Sequence, residues 1–205
     1  PYLNDNNDVA KHLKEYFSDK DGGLPSVFSF GASIGSLAPG VLAGSIRKNT
    51  SEMARLFITG DSPSDALPKL EESRKKQIAF TADILGEATL SESEALDYQK
   101  RYMAIIETLA EKSVSWPKYD LIDTNHLGDI PKVNVSVKLS SLYSQVKVTA
   151  WEESKKILIE RVEPIFDLAM KHGVTVNLDM EHYAIKNLTL DVYKTLLSMP
   201  KYKSY

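Results

Sequence analysis

Val133-Asn134-Val135-Ser136-Val137-Lys138-Leu139-Ser140-Ser141 is the stretch on which the reading of the fold turns. Val133, Val135, Val137 and Leu139 alternate with Asn134, Ser136, Lys138 and Ser140. A period of two, rich in β-branched residues, is a strand with one apolar and one polar face. The polar face carries a lysine near the strand's C-terminal end. Val174 to Glu181 repeats the design, with Val174, Val176, Leu178 and Met180 alternating with Thr175, Asn177, Asp179 and Glu181. One strand ends on a lysine and the other on an aspartate, and the two residues are expected to share one site.

Outward from these strands the pattern alternates. Ile78 to Leu85 reads as an earlier strand, closed by Gly86. Ser91-Glu92-Ser93-Glu94 is a capping box, opening a helix with Tyr98, Tyr102, Ile105, Ile106 and Leu109 on one side. Thr149 is placed to cap a helix through Leu158, Val162, Ile165 and Phe166, bent at Pro164 and stopped at His172-Gly173. Thr189 is placed to cap a last helix through Val192 and Leu196, stopped by Pro200. Residues 116–131 read as a loop.

Strand–helix alternation with long crossovers implies a parallel sheet. No Gly-x-Gly-x-x-Gly turn follows the first strand, so the dinucleotide fingerprint is missing. Strands of an open α/β sheet are apolar on both faces, whereas these are two-faced. Asp83, Lys138 and Asp179 all fall at C-terminal strand ends, where barrel enzymes build their sites. The expected fold is an α/β (βα)8 TIM-type barrel of which the first three βα units are present. The remaining units are expected beyond this sequence.

Residues 1–77 are expected to form a helical arm ahead of residues 78–205, the N-terminal part of the barrel. In the arm, Val9, Leu13 and Phe17 give helical spacing over 8–18, and Ile46, Met53, Leu56 and Phe57 over 46–58. Ser62-Pro63 is a helix start, with Pro68 expected to kink that helix or move its start downstream. The uncharged segment 25–46 is studded with Ser, Gly and two prolines and lacks the apolar density of a membrane span. It reads as packed loop and short helix.

The 205 residues carry a net charge of −3, with 42% hydrophobic and 26% charged residues, an ordinary globular balance that gives no reason to expect a nucleic-acid partner. The absence of cysteine excludes disulfides, thiolate ligands and a cysteine nucleophile, and fits a reducing, cytoplasmic setting. No signal peptide is visible.

Lys138 is the first candidate for chemistry. An inward lysine at a barrel mouth is costly unless paired or used. It could grip a carboxylate, form a Schiff base, or serve a structural ion pair. Asp179 could orient Lys138, a substrate amine or another polar group. Asp179, Glu181 and His182 raise a metal site, but His12, His126 and His172 lie at unhelpful positions, so none is expected. Glu87, after Gly86, reads on its own as a solvated loop charge.

Three segments in register carry a resemblance: Phe80-Thr81-Ala82-Asp83-Ile84-Leu85-Gly86-Glu87-Ala88, Val135-Ser136-Val137-Lys138-Leu139-Ser140-Ser141-Leu142-Tyr143 and Asn177-Leu178-Asp179-Met180-Glu181. Together they resemble the proline dehydrogenase family, and within it the proline dehydrogenase domain of bifunctional bacterial proline utilization A proteins. The resemblance runs from about Gly60 onward and more weakly through the arm. It implies a barrel holding FAD that oxidises L-proline to Δ1-pyrroline-5-carboxylate and passes electrons to a quinone. It further implies that Lys138 binds the proline carboxylate, that Asp179 is an active-site aspartate, that the backbone of Met180 lies against the flavin, and that Glu87 helps gate the site. Peripheral membrane association and a fused or partner Δ1-pyrroline-5-carboxylate dehydrogenase are compatible with it. The segment 144–148 lacks the proline turn expected of relatives, and the flavin-binding strands and substrate arginines are expected beyond Tyr205. The residues alone leave open an aldolase-type Schiff-base lyase using Lys138, or a non-catalytic barrel fragment.

Overall fold

The computed structural model describes residues 5, 8, 11, 39–86, 89–180, 182–203 and 205, which fall into two compact units, 1–59 and 60–205. In the first unit, helix α1 spans Pro39–Ala54. It starts seven residues before the expected 46–58 helix, because Pro39 supplies a preset first-turn φ at a position needing no N–H donor. It also stops earlier. Leu56 and Phe57 therefore lie past its end, and with Met53 they are exposed rather than forming an apolar side. The expected helix over 8–18 lies outside the described residues, except that Asp8 and Lys11 are helical.

The second unit begins with α2 (Pro63–Lys75). Ser62 caps it by accepting the Asp65 N–H at 3.1 Å, and Pro63 occupies the first turn. Pro68 does not shift the start: the helix runs through it. Strand β1 covers only Ala82–Asp83, a correction to the expected strand over 78–85. Its partner starts at Asn134 and the register sets Ala82 opposite Val135. Ile78 and Ala79 thus have no neighbouring strand to pair with, and Ile78 is exposed.

Helix α3 (Glu92–Ser113) starts as its capping box predicts. Ser91 accepts the Glu94 N–H at 3.2 Å. The reciprocal bond reaches one residue further back, from the Leu90 N–H to Glu94 at 2.9 Å. The segment read as loop holds a helical turn α4 (Asp120–Asp123) and a small antiparallel pair, β2 (Thr124–Asn125) with β3 (Gly128–Asp129). Strand β4 (Asn134–Lys138) follows, then α5 (Trp151–His172), β5 (Thr175–Asp179) and α6 (Lys186–Leu197).

Neither threonine cap forms. The chain enters α5 through a 3-10 turn at Val148–Ala150, with Ala150 at the cap position. Likewise α6 follows a 3-10 turn at Tyr183–Ile185, and Thr189 sits inside the helix, donating to the Ile185 carbonyl at 3.2 Å. The α5 stop is as expected: Gly173 takes the left-handed conformation (φ 62°), and α5 continues through Pro164.

The three-stranded sheet is parallel, in the order β1-β4-β5, so β4 is central. Its apolar face carries Val135 and Val137 and packs with Tyr102, Ile106 and Leu109 of α3, Leu158, Val162, Ile165 and Phe166 of α5, and Leu188, Val192 and Leu196 of α6. Side chains of this size each gain roughly 1.5–3 kcal/mol from full burial. The helices thus cover one face of the sheet and fix the polar face by default. Among the described residues, no helix is long and apolar enough to cross a membrane.

Candidate active site

The polar face is ordered in levels by strand register. Ser136 is flanked by Asp83 of β1 on one side and Asn177 of β5 on the other. One level toward the C-terminal ends, Lys138 stands opposite Asp179. Residues in register on a sheet point to the same side, so all five project from the face that the helices leave open. The Asn177 amide donates to the Ser136 hydroxyl at 3.1 Å, tying β4 to β5 just below the charged level.

Lys138 is the centre of the site. Its ammonium donates to both Asp83 oxygens, at 2.6 and 2.5 Å, and lies 3.3 Å from Asp179 Oδ2. The lysine side chain is 12% exposed against 47% for Asp83 and 36% for Asp179, so a largely buried cation sits between two partly wet carboxylates. Burial opposes its charge. The hydrogen bond and charge of Asp83, and then Asp179, outweigh burial and hold the Lys138 pKa above the ordinary lysine range. The group is a fixed ammonium at neutral pH.

Of the residues expected to act, Lys138 and Asp179 are brought together. Met180 follows Asp179 directly and is 41% exposed. Glu87 lies outside the described residues. Asp83 is visible in the sequence as a strand-end carboxylate, yet nothing there ranks it above Asp179. The reason is strand order: β4 lies between β1 and β5, so both aspartates flank it. Tyr102 reads in the sequence as helix core alone, although its hydroxyl accepts the Lys138 backbone N–H at 3.1 Å.

The loops above these strands are tied to the helices. Glu92 accepts from the Ser144 N–H at 3.0 Å and hydroxyl at 2.7 Å, and from Arg161 at 3.0 Å. At the opposite end of the sheet, Arg74 and Asp123 form a buried pair at 2.6 Å, with Arg74 also donating to the Pro117 and Lys132 carbonyls. That pair fixes α2 and α4 to the entry of β4.

Similarity to known proteins bears on what this site does. The family model for proline dehydrogenase matches residues 66–205. The chain belongs to the proline dehydrogenase family. A second model, the proline utilization A N-terminal domain, matches residues 1–57. The bifunctional protein PutA of Escherichia coli (strain K12) is 25% identical over 160 residues, covering 76% of this chain and 11% of that protein. Proline dehydrogenase 1 of Bacillus subtilis (strain 168) is 24% identical over 141 residues, covering 69% of this chain and 39% of that protein. Among solved structures, proline utilization A from Bdellovibrio bacteriovorus, inactivated by N-propargylglycine, is 48% identical with a TM-score of 0.84, covering 98% of this chain and 19% of that one. The chain therefore spans a minor part of the length of these relatives.

Proposed function

We propose that the complete protein oxidises L-proline to Δ1-pyrroline-5-carboxylate with FAD, passing electrons on to a quinone, and that this chain supplies the substrate-carboxylate side of the site. The observation that carries the reading is the Lys138 ammonium, held between Asp83 and Asp179 at the C-terminal ends of parallel strands. We read the sheet, with residues 78–205, as the first three units of a (βα)8 barrel, whose sites lie at that end. Residues 1–77 are proposed as the arm ahead of the barrel, and α2, its last helix, lies in the second compact unit and packs on α3.

Lys138 is proposed to bind the proline carboxylate. A substrate anion entering a partly dry mouth needs a fixed cation, and a charge-assisted hydrogen bond is worth about 1.5–3 kcal/mol. The local charge is informative. Two carboxylates and one ammonium sum to −1, which disfavours a simple anion and suits a zwitterion. The substrate carboxylate would take Lys138, and its secondary ammonium would face Asp179 or Asp83. Asp179 is the proposed active-site carboxylate, holding Lys138 or the amine in position until the nitrogen gives up its proton.

The residues at this end fit a flavin in one respect. Met180 directly follows the edge strand β5, exposed beside Asp179, and its backbone is the proposed contact with the isoalloxazine. When bound, FAD supplies the acceptor for the hydride leaving the carbon next to nitrogen. The work of these residues is to hold the proline ring in place. Glu87 is the proposed gate residue. A fused or partner Δ1-pyrroline-5-carboxylate dehydrogenase, and peripheral contact with a membrane carrying the quinone, complete the proposal for the whole protein.

The raised Lys138 pKa argues against a Schiff-base lyase, because carbonyl attack needs the neutral amine. An absorbance spectrum of the complete protein tests the reading. Flavin bands bleached anaerobically by L-proline are expected. Borohydride trapping of Lys138 by a carbonyl substrate, with no flavin bands, would replace it with the lyase, and neither signal would leave a non-catalytic barrel.

A further inference from the structure

Lys138 is held at its backbone as well as at its ammonium. Pairing between β1 and β4 ends at Asp83 opposite Ser136. The Lys138 N–H lies beyond that last rung, where a parallel ladder would continue only if β1 did. Tyr102 takes the vacant place. Its hydroxyl accepts the Lys138 N–H at 3.1 Å, from a side chain that is fully buried. On the other side of the residue, the Ser141 hydroxyl donates to the Lys138 carbonyl at 2.7 Å, and the hydroxyls of Ser141 and Tyr102 lie 3.3 Å apart. Both backbone polar groups of Lys138 are therefore held by side chains.

The second anchor lies one helical turn away. Tyr98 and Tyr102 share a face of α3. Gly86 follows Asp83 in the loop after β1, and a Cβ there would collide with the Tyr98 hydroxyl. The loop thus lies directly against that tyrosine. One helix touches the loop after β1 through Tyr98 and the end of β4 through Tyr102. It sets the spacing between the strand ends that carry Asp83 and Lys138.

We infer that Tyr102 is a positioning residue for substrate binding: its hydroxyl fixes the end of β4 so that the Lys138 ammonium projects between Asp83 and Asp179. The inference rests on the proposed role of Lys138 as the carboxylate clamp. Tyr102 is fully buried, and its hydroxyl meets the Lys138 backbone and Ser141. Its effect reaches the substrate through the lysine, so it falls on proline binding rather than on flavin binding.

The test uses the complete, flavin-loaded protein and four forms of it: wild type, Tyr102→Phe, Lys138→Ala and the double variant. Phenylalanine keeps the ring in the core and removes only the hydroxyl. Tyr102→Phe is expected to raise the KM for L-proline about five- to tenfold, the worth of one hydrogen bond, with a smaller effect on kcat and full flavin content. In the Lys138→Ala background the same change is expected to leave KM within about twofold, since the clamp it positions is gone. Ser141→Ala, which frees the other side of Lys138, is expected to shift KM in the same direction. If Lys138→Ala weakens proline binding and Tyr102→Phe does not, the positioning role is refuted and the clamp stands. If Lys138→Ala leaves proline binding intact, the clamp itself is refuted. Loss of flavin together with proline binding in Tyr102→Phe and Ser141→Ala would assign both hydroxyls to packing and overturn the inference.

Discussion

Replacing Asp123 by asparagine should loosen the end of the sheet opposite the site. Asp123 and Arg74 are 2% and 3% exposed at the side chain and meet at 2.6 Å. The carboxylate also accepts the Tyr119 N–H at 2.9 Å. Removing one member of a buried pair leaves the other charge uncompensated, at a cost of about 3–5 kcal/mol. Here the guanidinium keeps the Pro117 and Lys132 carbonyls and lies near the rings of Trp116 and Tyr119. The cost should therefore fall near about 3 kcal/mol, roughly a hundredfold in the opening equilibrium. Native-state hydrogen exchange of the complete protein reads this locally, in α2, the start of β4 and the facing part of α3. Arg74→Met with Asp123→Leu should recover most of the protection, because no buried charge remains. Burial pushes the Asp123 carboxyl up, but the Arg74 hydrogen bond and the Tyr119 N–H outweigh it and hold its pKa below the usual range. A depressed folded pKa stabilises above the unfolded value of about 3.9 and loses that contribution as pH falls through the folded value. Wild type and Asp123→Asn should thus converge in acid. Exchange rates within about threefold of wild type at neutral pH, or a double variant as loose as the single one, would refute the reasoning.

Two further outcomes follow from the site. Gly86→Ala should destabilise the protein by about 1–3 kcal/mol, since it combines a φ of 152° with a collision at Tyr98; thermal unfolding unchanged from wild type would contradict the close approach. Because the Lys138 pKa is raised, its ammonium persists below the unfolded value of about 10.4 and is lost only as pH rises through the folded value. The ratio of proline affinities between wild type and Lys138→Ala should stay flat from about pH 6 to about pH 10, and a decline centred near neutrality would show a neutral lysine instead.

Much of this architecture is legible in the sequence where one segment carries its own signal. The alternation at Val133–Leu139 and Val174–Met180, the capping box at Ser91 and the Gly173 stop each depend on nearby residues alone, and the structure follows them. Failures occur where the deciding contact is distant. Ile78–Leu85 alternates like a strand, but only Ala82 and Asp83 find a partner in β4. Thr149 and Thr189 have the chemistry of caps, while the entering 3-10 turns give the cap positions to Ala150 and Ile185. The same limit applies to the site. Periodicity puts Lys138 and Asp179 on one polar face, and register makes them neighbours. It does not reveal Asp83 as the nearer partner, because that depends on strand order. Nor does it reveal the bond to the Tyr102 hydroxyl, because a tyrosine in a helix stripe reads as core whether or not its end is bonded.

The most direct test of the account is proline binding by the complete protein with Lys138 replaced by alanine. Rapid mixing with L-proline under anaerobic conditions reads both ligands in one sample: the starting absorbance gives flavin content, and the dependence of the flavin reduction rate on proline concentration gives the apparent proline affinity. Loss of a charge-assisted hydrogen bond worth about 1.5–3 kcal/mol should weaken proline binding roughly 10- to 150-fold while flavin remains bound. Proline affinity equal to that of the wild type, with flavin intact, would contradict the carboxylate clamp on which the reading rests.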